Sequence, residues 1–115
     1  FFLFSCDENA KVDLKLFSKS IDAKNLSFAN AGYLEQFLGI QPGSVSPFAL
    51  LNDKENVVKF YLDEKLYNSK TINFHPLINT TTINIKTSEF IKFLLEKNKK
   101  IHIFSLNSYS ILKVL

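Results

Sequence analysis

Apolar residues along the chain fall into runs of two spacings, and the spacing sorts them into strands and helices. Short continuous or alternating runs at Phe1 to Ser5, Leu26 to Phe28, Phe48 to Leu51, Val57 to Leu62, Thr71 to Phe74, Thr80 to Ile85 and Ile101 to Phe104 have the pattern of strands. Three other stretches repeat at helical spacing. Leu14, Phe17 and Ile21 share a face behind Asp13, a good N-cap. Tyr33, Leu34, Phe37 and Leu38 share another behind Asn30, and Gly39 stands where a left-handed C-terminal residue is wanted. Phe90, Phe93 and Leu94 form the third, which Thr87 is expected to cap, and Asp63 to Tyr67 suits a single helical turn. Asn52, Asp53, Lys54 and Glu55 have the composition of a hairpin turn, so Phe48 to Leu51 is expected to pair with Val57 to Leu62. Phe1 opens without a cap or turn, as in mid-strand, so a further segment is expected before it.

Strands in series with three interspersed helices, and no repeated strand-helix-strand unit, predict the α+β class with a mixed, mostly antiparallel β-sheet and flanking helices. The 115 residues suffice for one domain with one core, spanning 1–115. An apolar share of 46% and a charged share of 22% belong to a soluble globular protein. No apolar run is long enough for a bilayer, and Phe1 to Phe4 lacks the basic leader of a signal peptide. Cys6 is the only cysteine, which excludes an intrachain disulfide and a cysteine-based zinc site. A reducing, cytoplasmic location fits, with Cys6 a packed thiol rather than a nucleophile. The net charge of +3 mildly favours a polyanionic partner, although Lys97, Lys99 and Lys100 also complement a helix C-terminus.

Two segments are stranger than a core requires. Gln41 to Pro47 contains Pro42, Gly43 and Pro47 and must be a shaped loop, able to present backbone N–H and C=O groups to a ligand in a fixed arrangement. A plain helix-to-strand connection has the same composition. Phe74-His75-Pro76-Leu77-Ile78-Asn79-Thr80-Thr81-Thr82 sets an imidazole, an amide and three hydroxyls among apolar residues, like a pocket wall. A turn histidine and a β-prone threonine run would read alike. No Walker-type loop, nucleophile elbow or paired histidine at metal spacing is present, so a metal enzyme is not expected, and His102 lies on a strand. Ser44 and Ser46 have no base or orienter near them in sequence and read as hydrogen-bonding loop residues.

Together, Leu38-Gly39-Ile40-Gln41-Pro42-Gly43-Ser44-Val45-Ser46-Pro47-Phe48-Ala49-Leu50-Leu51-Asn52-Asp53 and Phe74-His75-Pro76-Leu77-Ile78-Asn79-Thr80 resemble the YbaK and prolyl-tRNA synthetase associated family of editing domains. The resemblance runs from about Phe1 to about Leu106 and leaves Asn107 to Leu115 without a reading. It implies a cofactor-free, metal-free deacylase that cuts the ester between amino acid and terminal ribose, using a water placed by the loop and a ribose hydroxyl. Gly43, Ser44, Pro47 and His75 are the implied catalytic positions. Val45, Ser46, Phe48, Asn79 and Thr80 are the implied substrate contacts. The Ser-Val-Ser-Pro and Phe-His-Pro-Leu stretches look most like the branch acting on alanyl-tRNA(Pro). Cysteinyl- or seryl-tRNA, or a noncatalytic tRNA-binding or synthetase-docking module, are the alternatives. The implied partners are mischarged tRNA and prolyl-tRNA synthetase. A functional Lys with an adjacent Asn, and the family's first helices, are expected upstream of Phe1.

Overall fold

A computed structural model of the chain describes residues 1–6, 10–23, 26, 32, 34–39, 47–74 and 83–115. Strand β1 (Phe2–Ser5) leads to helix α1 (Leu14–Ser20), a π-helical turn (Leu34–Leu38) and a 3₁₀ helix (Pro47–Asn52). Strand β2 (Lys59–Asp63), the short helix α2 (Glu64–Tyr67), strands β3 (Thr71–Phe74) and β4 (Ile83–Lys86), helix α3 (Thr87–Glu96), and strands β5 (Ile101–Ser105) and β6 (Ser110–Val114) complete it. Four strands form one sheet in the order β1-β2-β5-β6, and β3 and β4 form a separate two-stranded hairpin. β2 runs parallel to both β1 and β5, while β6 is antiparallel to β5 with an irregularity between Ile103 and Phe104. The architecture is α+β with a mixed sheet, as the element pattern predicts.

The expected hairpin of Phe48 to Leu51 with Val57 to Leu62 does not form. Residues Pro47–Asn52 are a 3₁₀ helix, for whose start Pro47 is suited, and Ala49 and Leu50 are buried in it. Asn52 to Glu55 turn the chain into a parallel strand instead. The Asp53 carboxylate accepts hydrogen bonds from the backbone N–H groups of Val57 and Val58, at 3.0 and 2.7 Å, and is itself buried. After the exposed Lys59, the strand is buried on both faces from Phe60 to Asp63, the pattern of a parallel strand.

Those two faces carry separate apolar clusters. On one, Phe60 and Leu62 of β2 and Ile101 and Ile103 of β5 pack against Phe90 and Leu94 of α3, with Ala49 and Leu50 of the 3₁₀ helix. On the other, Phe17 of α1 meets Tyr61 and Phe104. Phe17 lies edge-on to Phe4, Tyr61 and Phe104, with ring centroids 5.4, 5.3 and 5.2 Å apart, the geometry that aromatic quadrupoles favour. Helix α1 starts as expected, with Asp13 Oδ1 accepting from the N–H groups of Lys15 and Leu16. The Tyr109 hydroxyl accepts from Asp13 N at 3.0 Å and ties that start to the β5–β6 turn.

One other expectation needs adjustment. Helix α3 is entered through Lys86, and Thr87 is its first residue rather than its cap. The Thr87 side chain is buried and donates to the Ser69 carbonyl at 2.6 Å, so its hydroxyl holds the preceding loop and not the helix end. Strand β6 had no counterpart in the sequence reading. Leu26 to Phe28, like the Asn30 cap and Tyr33, falls largely outside the described residues.

Phe17 is 4% exposed and joins four rings, those of Phe2, Phe4, Tyr61 and Phe104, so Phe17→Ala is expected to cost about 3–5 kcal/mol of folding stability. Leu95→Ala, at a position 42% exposed on α3, is expected to cost under about 0.5 kcal/mol. Urea unfolding of the two variants beside the parent measures both, and similar midpoint shifts would contradict the aromatic cluster as a core.

Candidate functional site

The two unusual segments adjoin elements that are built into the core. Gly43, Ser44, Val45 and Ser46 of the first, and His75, Asn79 and Thr80 of the second, lie outside the described residues. Pro47 and Phe48 are described, as are both ends of each loop. On the near side of the first loop, Gly39 has φ +65° and its N–H donates to the Glu35 carbonyl at 3.0 Å. That is the left-handed helix end expected at this glycine. The Asn52 side chain reaches back 14 residues and donates to the Leu38 carbonyl at 2.7 Å. One amide thereby joins the segment before the loop to the helix after it.

On the far side, Pro47 is buried at the start of the 3₁₀ helix and the Phe48 ring is half-buried against α3. Its centroid lies 6.0 Å from that of Phe90, edge-on, and 6.1 Å from that of Phe93. Phe48 therefore anchors the loop's end by packing. The turn that follows is pinned by Lys99, whose ammonium donates to the Asp53 carbonyl at 2.5 Å and to Asn56 Oδ1 at 2.8 Å. Asn52, Asp53 and Lys99 were missed as site supports by sequence reasoning. The signal was present, since Asn52 and Asp53 close the motif that carries the family resemblance.

The second loop leaves from β3 and returns to β4, which pair antiparallel from Thr71↔Lys86 to Phe74↔Ile83. One pair short of the loop, the Asn84 amide donates to Asn73 Oδ1 at 2.6 Å across the strands and fixes the register. β4 then runs directly into α3, the helix on which Phe48 packs. The loop bearing Gly43 and the loop bearing His75 thus have their ends on one packed unit.

Other groups with chemical potential are engaged structurally. His102 Nδ1 lies 3.0 Å from the Phe60 carbonyl, and its ring stacks on Tyr61 at 4.6 Å and 15°. Burial pushes the Tyr61 hydroxyl above its ordinary value of 10.0. Among the described residues no three His, Cys, Asp or Glu side chains are grouped to hold a metal ion, and no helix is long and apolar enough to cross a membrane.

The sequence profile of the aminoacyl-tRNA editing domain matches residues 1–93, a span that includes both loops. The chain belongs to the aminoacyl-tRNA editing domain family. Among similar members, prolyl-tRNA editing protein ProX of Acetoanaerobium sticklandii is 31% identical over 93 residues, covering 81% of this chain and 57% of that protein. Prolyl-tRNA synthetase associated domain-containing protein 1 of Danio rerio is 33% identical over 81 residues, covering 69% and 44%. Its Xenopus laevis namesake is 29% identical over 96 residues, covering 80% and 56%. This editing-family chain spans about half the length of the curated relatives it matches.

The clamp at the base of the first loop is testable. Asn52→Ala removes the donor to the Leu38 carbonyl and is expected to cost about 1–3 kcal/mol. Gly39→Ala forces a Cβ into the left-handed region and 3.3 Å from the Asn52 amide nitrogen, and is expected to cost about 1–2 kcal/mol. If both variants unfold at the parent's urea concentration, the clamp does not hold the loop.

Proposed function

We propose that this chain forms the greater part of a cytoplasmic trans-editing deacylase domain that hydrolyses the ester of mischarged tRNA, with alanyl-tRNA(Pro) as its substrate. The observation that carries this reading is the family match over both unusual loops. The deacylase activity is supported by the names of the similar proteins, one a prolyl-tRNA editing protein and two others prolyl-tRNA synthetase associated domain proteins. The choice of alanine rests on the Ser44-Val45-Ser46-Pro47 and Phe74-His75-Pro76-Leu77 stretches. Prolyl-tRNA synthetase is the proposed partner enzyme, and no metal or cofactor takes part.

The proposed mechanism uses few groups. The loop from Gly43 to Pro47 offers backbone N–H and C=O groups that orient the attacking water and the ester carbonyl, and Gly43 lacks a side chain that would stand in their way. His75 holds or polarises the reacting end of the substrate, since an imidazole both donates and accepts near neutral pH. Ser44 belongs with this catalytic loop as a hydrogen-bonding residue, and Val45, Ser46, Asn79 and Thr80 are the proposed substrate contacts. Phe48 contributes by fixing the loop's far end against α3. The physical need is plain: a pocket made for proline excludes a smaller apolar residue by only about 1–3 kcal/mol, so a second site must supply the missing discrimination.

Deacylation assays on the full protein with alanyl-, cysteinyl- and prolyl-tRNA(Pro) test the reading, with fastest release expected for alanine. His75→Ala is expected to lower the rate about 10²-fold or more with modest loss of stability. Binding of tRNA without any ester cleavage would point to the noncatalytic module instead. Gly43→Val is expected to abolish turnover in a protein that remains folded, because a branched side chain would occupy the backbone-lined site. Unchanged turnover in a folded Gly43→Val protein removes the loop from the mechanism.

A further inference from the structure

A shallow groove of about 740 Å³ lies at the base of the β3–β4 hairpin, away from the tips where both strands enter the second loop. Its walls come from the end of α2, the loop into β3, and the start of α3, and Lys70 and Lys86 are both among its lining residues. Among the described residues no carboxylate lines it. A third cation stands beside it, since the Lys113 ammonium lies 4.5 Å from the centroid of Tyr67, which forms one wall.

Lys86 is the N-cap of α3, makes no side-chain cap hydrogen bond, and places a cation at the positive end of a ten-residue helix. Lys70 is held close to it, because its carbonyl accepts the Thr87 N–H at 2.9 Å. Glu89 stands in the first turn of α3 but not among the residues that line the groove, so an anion within the groove would offset the two lysines there. The half-buried Tyr67 ring adds a flat apolar wall of the sort on which a base or ribose can lie.

We infer that this groove binds the sugar-phosphate backbone near the 3′ end of tRNA. The inference rests on reading the domain as an aminoacyl-tRNA deacylase, and adds a phosphate-holding surface outside both candidate loops. Distance favours that occupant. From the Thr71↔Lys86 pair to the Phe74↔Ile83 pair is three residue steps of a strand, about 10 Å, or roughly three stacked nucleotides at about 3.4 Å each. A tRNA carries its amino acid on the last ribose of a single-stranded end. With that ester at the second loop, phosphates a few nucleotides back fall at Lys70 and Lys86. The chain has no arginine, so the contacts are point charges that follow a backbone rather than forks that read bases.

The test compares the parent protein with a Lys70→Gln/Lys86→Gln double variant and with Lys100→Gln, an exposed lysine beyond the opposite end of α3. Affinity for tRNA(Pro) is measured by filter binding over a salt series, alongside hydrolysis of alanyl-adenosine, an ester too short to reach the groove. The double variant is expected to bind about 10-fold more weakly at about 0.15 M salt, with the slope of log K against log salt shallower by about 1.4. Lys100→Gln should match the parent, and all three should hydrolyse alanyl-adenosine equally. A double variant with unchanged affinity and slope overturns the groove and leaves the deacylase reading standing. Equal weakening by Lys100→Gln also overturns it, by reducing the effect to net charge. Lysine-dependent tRNA binding without hydrolysis of any ester supports the groove while sinking the deacylase reading. Failure of the parent to bind tRNA overturns both.

Discussion

Strand β2 is buried on both faces at once, and the rest of the fold is arranged to cover it. Phe60 and Leu62 face the layer of α3 and the 3₁₀ helix, while Tyr61 faces α1. A strand in that position cannot be joined to its neighbours by tight turns alone, since parallel partners need crossover connections. Helices α1 and α3 lie on those crossovers and supply Phe17 and Phe90 to opposite sides of the sheet. A carboxylate stands at each end of the strand. Asp53 accepts the N–H groups of Val57 and Val58 at its entrance, and Asp63 accepts that of Lys65 as the chain leaves it for α2. Both are buried, and hydrogen bonds to charged groups are the stronger kind, about 1.5–3 kcal/mol each.

The same constraint positions the candidate loops. The 3₁₀ helix covers one face of β2 and in doing so fixes Pro47 and Phe48, the far end of the loop that holds Gly43. Asn52, at the last position of that helix, returns to the Leu38 carbonyl and fixes the near end. β4 is continuous with α3, so the strand that receives the second loop is registered by the helix packed on β2. Loop ends held in a close-packed core transmit little displacement, which is the condition a positioned water requires.

Local chemistry was the legible part of the sequence. Asp13 and Phe17 announced α1, Gly39 announced a left-handed helix end, and Thr71 to Phe74 and Ile101 to Phe104 announced strands, because in each a side chain acts on its immediate neighbours. Hidden from sequence was whatever depends on a distant partner. Asn52 to Glu55 has hairpin composition, and only the Lys99 ammonium and the two N–H groups on Asp53 show it to be the entrance of a parallel strand. Strand β6 exposes Ile111, Leu112 and Val114 and pairs along one edge only, so its apolar pattern carried little signal. The candidate site was legible solely as motif. Glycine, proline, histidine and threonine in a loop have structural uses that spacing cannot separate from catalytic ones.

Discrimination between small amino acids places a particular demand on such a fold. On the proposed reading, the site must accept alanine and reject proline, which calls for a pocket too small for the larger ring. Exclusion by size works only if the walls do not yield, since a wall that moves by half an ångström gives up much of the repulsion. Flexible loops would therefore discriminate poorly however well they bound. The clamp from Asn52 to Leu38, the Phe48 ring on Phe90, and the Asn73–Asn84 pair act on backbone just outside the proposed pocket, where stiffness can be supplied without obstructing the substrate. Affinity for the tRNA must then come from elsewhere, because a rigid pocket filled by one methyl group gains about 1 kcal/mol from burying it. A cationic groove about 10 Å along the strands from the Phe74↔Ile83 pair would meet that requirement, holding the common part of every tRNA substrate and leaving the pocket to judge the amino acid alone.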